Sequence, residues 1–273
     1  MTAHDRHRDL VEKLLEGVRA LTSSEQWQRY LELQSRFHHY SYRNALLIQL
    51  QRPSATQVAG FHAWRKLDRF VRKGEKAVWI LAPMVSRHGD DEGEAVVHGF
   101  KFVPVFDVSQ TEGRALPSVC DRLLGDDPGD LFRRLRGAAE RLGFSVVDFD
   151  FHGLANGDCS HPERRIRIER SNAPRQRVKT MAHELAHAML HAEADDRARA
   201  ELEAESTAYV VCQALGVDSG QYSFGYVVSW AGGGETALAG IRASCGRIQA
   251  SAAAILEAVA MQRWDGQLPA VSA

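Results

Sequence analysis

His183-Glu184-Leu185-Ala186-His187 is the stretch on which the reading of the second half of the chain turns. Pro174 opens a helical run that continues through His191. Residues four apart on a helix share a face, so both imidazoles point at one ion. Glu184, next to the first histidine, is placed to act as general base on a water that the ion polarises. The plainer alternative is a surface helix with two solvated histidines. Val178, Met181, Ala182, Leu185, Ala188 and Met189 argue against it, because they surround the motif with apolar side chains. Polar groups buried among them need partners, and a metal provides one.

A catalytic zinc needs a third protein ligand and an open position. The next helix, expected over Ala200–Leu215 and ended by Gly216, offers Glu201, Glu203 and Glu205. Glu201 and Glu205 share a face one turn apart, so one can bind the metal while the other steadies a histidine from behind. Glu203 points elsewhere and reads as part of a solvated acidic face. His191 lies one turn beyond His187, too far along the axis to complete the same site.

Working outward, a helix over about residues 130 to 142 ends at Gly143 and leads into a strand, Phe144–Phe149. Asn156-Gly157-Asp158 reads as a turn, and Arg165–Glu169 alternates as a strand does. Tyr222–Trp230 and Ala237–Ala260 are expected to be helical, separated by Gly232-Gly233-Gly234. Before all this, Thr111–Asp130 carries Gly113, Pro117, Gly125, Pro128 and Gly129, the composition of a linker. The boundaries that follow are a first domain over 1–112, a linker over 113–129 and a second domain over 130–273.

In the first domain, residues from about 8 to 35 read as helical on the stripe Leu10, Leu14, Leu15, Val18 and Leu21. Ser41 caps a second helix over about 42 to 51, and Phe61–Leu67 suggests a short third. Lys73-Gly74-Glu75 is a turn, Ala77–Leu81 and Phe100–Val105 are strands, and Val85–Gly99 is a polar excursion between them. The fold class is therefore α+β, with a helix-rich second half. Aromatic residues interleave with cations between Phe37 and Pro83. Tyr40 and Trp64 offer ring faces, and Arg43, Arg65, Lys66, Arg72 and Lys73 offer charge. Asn44 could add a hydrogen bond to a base edge or phosphate. Such mixtures bind single-stranded nucleic acid, cations tracking phosphates and rings stacking bases. A packed core with a solvated basic face is the plainer reading of the same residues.

The chain of 273 residues has a net charge of −1 and 25% charged residues, the balance of a soluble protein. No apolar stretch reaches the roughly 18 residues of a membrane span, and the charged start, His4 to Asp9, has no secretory pattern. A cytoplasmic location without a membrane partner is expected. Cys120, Cys159, Cys212 and Cys245 include no CxxC pair, so reduced thiols are expected.

Two resemblances add to this. The run from His183 to His191, followed by Glu201 to Val211, resembles the ImmA/IrrE metallopeptidases over about residues 130–216. The resemblance implies Glu201 as third ligand to Zn2+, and it puts Glu205 where that family usually has Asn or Asp. Further upstream come Tyr40-Ser41-Tyr42-Arg43-Asn44, Pro53-Ser54-Ala55-Thr56, Trp64-Arg65-Lys66, Arg72-Lys73-Gly74-Glu75-Lys76 and Val105-Phe106-Asp107. In that order they resemble the single-strand-DNA-binding domain of ArdC-type antirestriction proteins, which carry a zincin-like metallopeptidase domain behind it. Tyr226-Val227-Val228-Ser229-Trp230 is similar to their final helices. Tyr226 is a candidate oxyanion stabiliser, with a core position as the alternative. The resemblance implies a protein of mobile elements that touches single-stranded DNA, protects incoming DNA and hydrolyses peptide bonds in a protein substrate. Two rivals stand beside it: a DNA-binding protein with a structural or vestigial metal site, and a regulatory peptidase that cleaves a repressor. Glu184 separates the first rival, since a structural site needs no base, and the N-terminal words separate the second.

Overall fold

The computed structural model of the protein describes residues 3–21, 23–87, 95–115, 128–152, 155–192, 196–217 and 235–261. They fall into two compact units, each built from two pieces of chain: Met1–Arg19 with Tyr40–Leu116, and Ala20–His39 with Pro117–Ala273. Most of the expected linker, the glycine break before residue 235, Cys120, Tyr226 and the whole of Tyr222–Trp230 lie outside the described residues. Among the described residues no helix is long and apolar enough to cross a membrane.

The single helix expected over residues 8 to 35 is two helices, α1 (Ala3–Ala20) and α2 (Ser24–Arg36). The break has a local cause. Ser23 is an N-cap whose hydroxyl accepts from the Gln26 N–H, which starts a new helix rather than continuing the old one. α1 buries Leu10, Leu14 and Val18 at four-residue spacing in the first unit.

The rest of the first unit is small and mixed: α3 (Tyr42–Gln51), β1 (Val58–Ala59), α4 (Phe61–Lys66), β2 (Arg69–Val71), β3 (Val78–Arg87), β4 (Ala95–Asp107) and β5 (Thr111–Gly113). The two expected strands are the inner parts of one long hairpin, β3 against β4, with β1 on the other edge of β4. β2 pairs with β5 as a separate ribbon. β3 is therefore an edge strand, and α3 covers it. Asn44 exchanges two hydrogen bonds of 2.8 Å with the Leu81 backbone. Gln51 does the same with Trp79, at 2.8 and 2.9 Å. Two side-chain amides thus stand in for a missing strand, which removes bare edge donors and acceptors. Ala45, Leu47, Ile48, Val78, Ile80 and Val105 fill the core beneath.

The second unit begins with α2 and continues through α5 (Pro128–Arg141), β6 (Ser145–Phe149), β7 (Gly157–Ser160), β8 (Arg165–Glu169), α6 (Pro174–Leu190), α7 (Arg197–Ala214) and α8 (Glu235–Met261). Gly143 ends α5 at φ +84°, a conformation that favours glycine, and the Phe144 N–H returns to the Ala139 carbonyl. The sheet order is β6-β8-β7, with β8 parallel to β6 and antiparallel to β7. The expected turn at Asn156-Gly157-Asp158 is instead the start of edge strand β7, Gly157 pairing with Ile168. Its glycine and aspartate carry a turn signal, but pairing with β8, whose Ile166 and Ile168 are fully buried, decides the conformation. α5 packs on β6, and α6 on β7 and β8. α2 is tied to α7 and α8. The Trp27 indole N–H donates to Ser206 Oγ at 2.9 Å, and the Tyr30 hydroxyl to the Cys245 carbonyl at 3.4 Å.

Candidate metal centre and nucleic-acid surface

Val178, Met181, Ala182, Leu185 and Ala186 of α6 have no exposed surface, and they fix the rotation of the helix. The same rotation aims His183 and His187 at α7. Their Nε2 atoms lie 3.1 Å apart, and Glu201 Oε2 lies 3.5 and 3.7 Å from them. Three donor atoms bound to one tetrahedral ion at zinc–ligand lengths would be about 3.3–3.4 Å apart. Two imidazoles and a carboxylate at these separations therefore fit a divalent cation. They form a group able to hold a metal among the described residues.

Other carboxylates complete the surroundings. Glu205 Oε2 lies 3.1 Å from His183 Nδ1, on the far side of that ring, and its other oxygen is 3.3 Å from Lys179 Nζ. Glu184 is buried, beside a cavity of about 290 Å³ lined by Asn156, Gly157, Lys179, Thr180, His183 and Glu205 among others. Burial pushes its carboxyl up to about 7, with Asp158 and Glu201 adding to the rise and His183 opposing it. A carboxyl poised there holds or releases a proton near neutrality. Burial lowers His183, but hydrogen bonds to Glu201 and Glu205 outweigh it and raise the imidazole to about 9. His187, buried beside that charge, falls to about 4. Glu201 is held at about 2, chiefly by its hydrogen bond to His183. A strongly shifted acid–base cluster beside a cleft makes this the candidate functional site.

Glu203 corrects the sequence reading. Its side chain is 1% exposed, not solvated, and it faces His191, Arg199, Ser244 and Arg247. Part of this was legible, because Arg199 lies one helical turn before Glu203. Ser244 and Arg247 arrive from a distant helix, and no sequence signal announces them. His191 contributes no Nε2 to the donor triangle. Gly157 was also missed as a site residue. A Cβ there would meet Thr180 Cγ2 at 2.7 Å, the Arg167 carbonyl oxygen at 2.9 Å and Glu184 Cγ at 3.2 Å.

In the first unit the structure separates the candidate DNA residues. Arg43, Arg65, Lys66, Arg72 and Lys73 are all exposed. Arg43 stands over the Tyr42 ring at 5.6 Å. Arg72 donates to Glu75 Oε1 at 2.8 Å and to the Ser109 carbonyl at 2.6 Å, so part of its charge is already engaged. Tyr40 is half-buried, and its hydroxyl donates to the Val58 carbonyl at 2.8 Å. Trp64 and Asn44 are corrections. Trp64 is 2% exposed with its indole N–H on the Phe106 carbonyl, so its ring is core and offers no face to a base. Asn44 spends its amide on Leu81. The exposed phenylalanine rings are others: Phe61 at 44% and Phe70 at 51%, on α4 and the adjacent β2, and Phe100 at 57%, on β4.

Residues 4–109 match the family described as the N-terminal domain of the anti-restriction factor ArdC, and residues 139–214 match the IrrE N-terminal-like domain of the M78 peptidases. The chain thus matches the two domain families one after the other. It shares its fold with the metal-free antirestriction ArdC protein from plasmid R388. The TM-score is 0.51 at 21% identity, over 81% of this chain and 86% of that one. A second structure of that protein, described as Mn(II)-bound, superposes with a TM-score of 0.48 at 20% identity, over 81% and 85% of the two chains. An uncharacterised protein of Bacillus anthracis is 23% identical over 84% of this chain and 47% of its own. The chain thus spans about half the length of that curated relative.

Proposed function

We propose that this protein is a DNA-associated zinc metallopeptidase of antirestriction type, with single-stranded DNA bound by the first unit and peptide hydrolysis carried out in the second. The donor triangle of His183, His187 and Glu201, with Glu184 buried at the adjoining cavity, is the observation that carries this reading. A divalent ion held there would supply a Lewis acid and lower the pKa of water. The chain's own groups do the rest. A Glu184 carboxylate oxygen takes a proton from the attacking water and returns it to the leaving amine. Glu205 keeps the His183 ring turned toward the centre. β7, the edge strand beside the cavity, offers backbone groups to an extended peptide. A purely structural metal site has no use for a buried carboxyl with a pKa near 7.

Elemental analysis and cleavage of an unfolded model protein, with and without single-stranded DNA, test this reading. We expect one zinc per wild-type chain, loss of metal in His187→Ala, and full metal with no cleavage in Glu184→Gln. Cleavage by Glu184→Gln at the wild-type rate would remove Glu184 as the base. Full zinc in His187→Ala would remove the ligand set.

For DNA, the exposed cations Arg43, Arg65, Lys66 and Lys73, with the exposed rings Phe61 and Phe70, form the platform this reading uses. Single strands present both phosphates and base faces to such a surface. Trp64 and Asn44 support the platform from the core.

A further inference from the structure

We infer that His191 and Glu203 are positioning residues that set the ring tautomer of His187 and so present its Nε2 lone pair to the metal centre; the inference rests on the metal reading above. The contacts run in one line. Glu203 is enclosed, and its Oε1 accepts from Arg199 Nε at 3.0 Å and from Ser244 Oγ at 2.7 Å. Its Oε2 accepts from Arg247 Nε at 2.8 Å and lies 3.2 Å from His191 Nε2. His191 Nδ1 in turn lies 3.0 Å from His187 Nδ1.

An ionised carboxylate only accepts hydrogen bonds, so the ring nitrogen facing it carries the proton. His191 is therefore protonated on Nε2, and in the neutral ring its Nδ1 is an acceptor. The His187 nitrogen facing that acceptor must carry its own proton, on Nδ1. The lone pair of His187 is left on Nε2, the atom 3.1 Å from His183 Nε2 and 3.7 Å from Glu201. In His183, Glu205 faces Nδ1 and fixes a proton there, so Nε2, which faces Glu201, is the nitrogen left to a metal. Two carboxylates thus fix the Nδ1 protons of two ligands, one by contact and one through an intervening histidine. Glu203 is itself held by Arg247 on α8, and the Arg247 guanidinium also donates to the Leu190 carbonyl at the end of α6 at 2.6 Å. The line therefore joins three helices. Its purpose goes beyond filling the core, since an apolar side chain of similar size at position 191 would pack as well but would leave the His187 ring without its acceptor.

The test uses the full-length protein with zinc(II) as the probe. Affinity is read by competition with a chromophoric chelator, and the ring-nitrogen NMR shifts of His187 and His191 are read in the metal-free protein. His191→Phe and Glu203→Gln are compared with His161→Phe. The latter removes a ring that stands edge-on to Phe144 and meets His187 at its backbone carbonyl, at 3.0 Å, not at its imidazole. We expect wild-type His187 to be protonated on Nδ1 and His191 on Nε2. His191→Phe should weaken zinc binding by about 10–100-fold, the usual effect of removing a group that orients a ligand, and its His187 should show a mixture of tautomers. His161→Phe should lower the melting temperature without either change. If Glu203→Gln does not fold, His191→Phe still decides, because it leaves Glu203 with Arg199, Ser244 and Arg247. Zinc affinity within threefold of wild type in His191→Phe, with unchanged His187 shifts, overturns the inference. So does wild-type His187 protonated on Nε2. Failure of every protein, wild type included, to bind zinc removes the metal reading instead, and the nitrogen shifts keep the two failures apart.

Discussion

Gly157 decides how closely α6 approaches β7, and with it where Glu184 sits. Two of the three atoms a Cβ would meet cannot move cheaply. One is the Arg167 carbonyl, locked in the sheet, and the other is the methyl of buried Thr180. Gly157→Ala should therefore push α6 away by a few tenths of an ångström, at a stability cost of about 1–3 kcal/mol. It should also lower peptide hydrolysis by roughly tenfold to a hundredfold, as small misplacements of catalytic groups do, while zinc content stays full. Turnover and metal content measured on one preparation check this, and unchanged turnover would sink it. A second residue makes a pH-dependent prediction. Asp107, 1% exposed, accepts from the Thr56 and Gln57 backbones at 2.8 and 3.1 Å and from Ser109. Burial raises its carboxyl pKa, but those hydrogen bonds outweigh it and the net shift is down. A folded pKa below the unfolded value near 3.9 gives stability that is present above that pH and lost as pH falls toward the folded value. Asp107→Asn should cost about 1–3 kcal/mol at pH 7, and the gap to wild type should narrow below about pH 4. Urea unfolding at both pH values measures it. A gap that does not change with pH would show the carboxylate contributes nothing by its charge. The HExxH histidines were legible in sequence because helical spacing alone brings the two of them together, whereas Glu201, on the next helix, stood level with Glu205 until the metallopeptidase resemblance singled it out. Gly157 was not, because close approach between a strand and a helix leaves no mark on the sequence of either.

Among the elements, α4 and β2 show most clearly what a sequence conceals. The words around Trp64 place rings and cations together, and that much holds. Which ring is presented depends on how a six-residue helix rotates, and here Trp64 turns inward to bond Phe106 while Phe61 and Phe70 turn out. The Ser41 cap and the α3 boundaries follow from local rules and were readable. The use of Asn44 and Gln51 to cover a strand edge was not, because it joins residues 28 to 37 positions apart. The structure therefore changes the DNA prediction. Phe61→Ala and Phe70→Ala should each cost about 1–3 kcal/mol in binding a single-stranded oligonucleotide, with the salt dependence unchanged. Lys66→Ala with Lys73→Ala should reduce the log–log salt slope by about 1.4, from about 0.7 for each lost phosphate contact. Titrations of a labelled oligonucleotide across salt concentrations separate the two groups. Equal binding of duplex and single strand, or no effect of either ring, would remove this surface as the platform.

At the scale of the whole molecule, the chain does not divide at a single linker. The sequence reading placed everything before residue 112 in one domain, and the match to the ArdC N-terminal domain spans residues 4–109. Yet Ala20–His39 packs with the second unit. Trp27 and Leu31 of α2 have no exposed surface, and Tyr30 and Leu33 have 2%. The Trp27 indole bonds Ser206, the residue after Glu205, and Glu32 accepts from the Tyr209 hydroxyl at 3.3 Å. Periodicity could show that α2 is amphipathic, but the identity of the surface it covers depends on contacts about 180 residues away. The consequence is testable. Trp27→Ala removes a large buried ring and orphans the Ser206 hydroxyl, a change that costs about 3–5 kcal/mol in a core. The loss should fall on α7, which carries Glu201 and Glu205. Zinc affinity should therefore drop, and amide hydrogen exchange should rise along α7 and α8, while exchange in Tyr42–Gln51 and along β3 and β4 stays near wild type. Trp64→Ala is the reciprocal change, raising exchange in the first unit and sparing zinc. If Trp27→Ala instead loosens α3 and the β3–β4 hairpin and leaves zinc affinity intact, α2 belongs energetically to the DNA-binding unit. If it behaves as expected, the metal centre depends on a helix that ends 147 residues before its first ligand, and no fragment that starts at the linker carries the complete second unit.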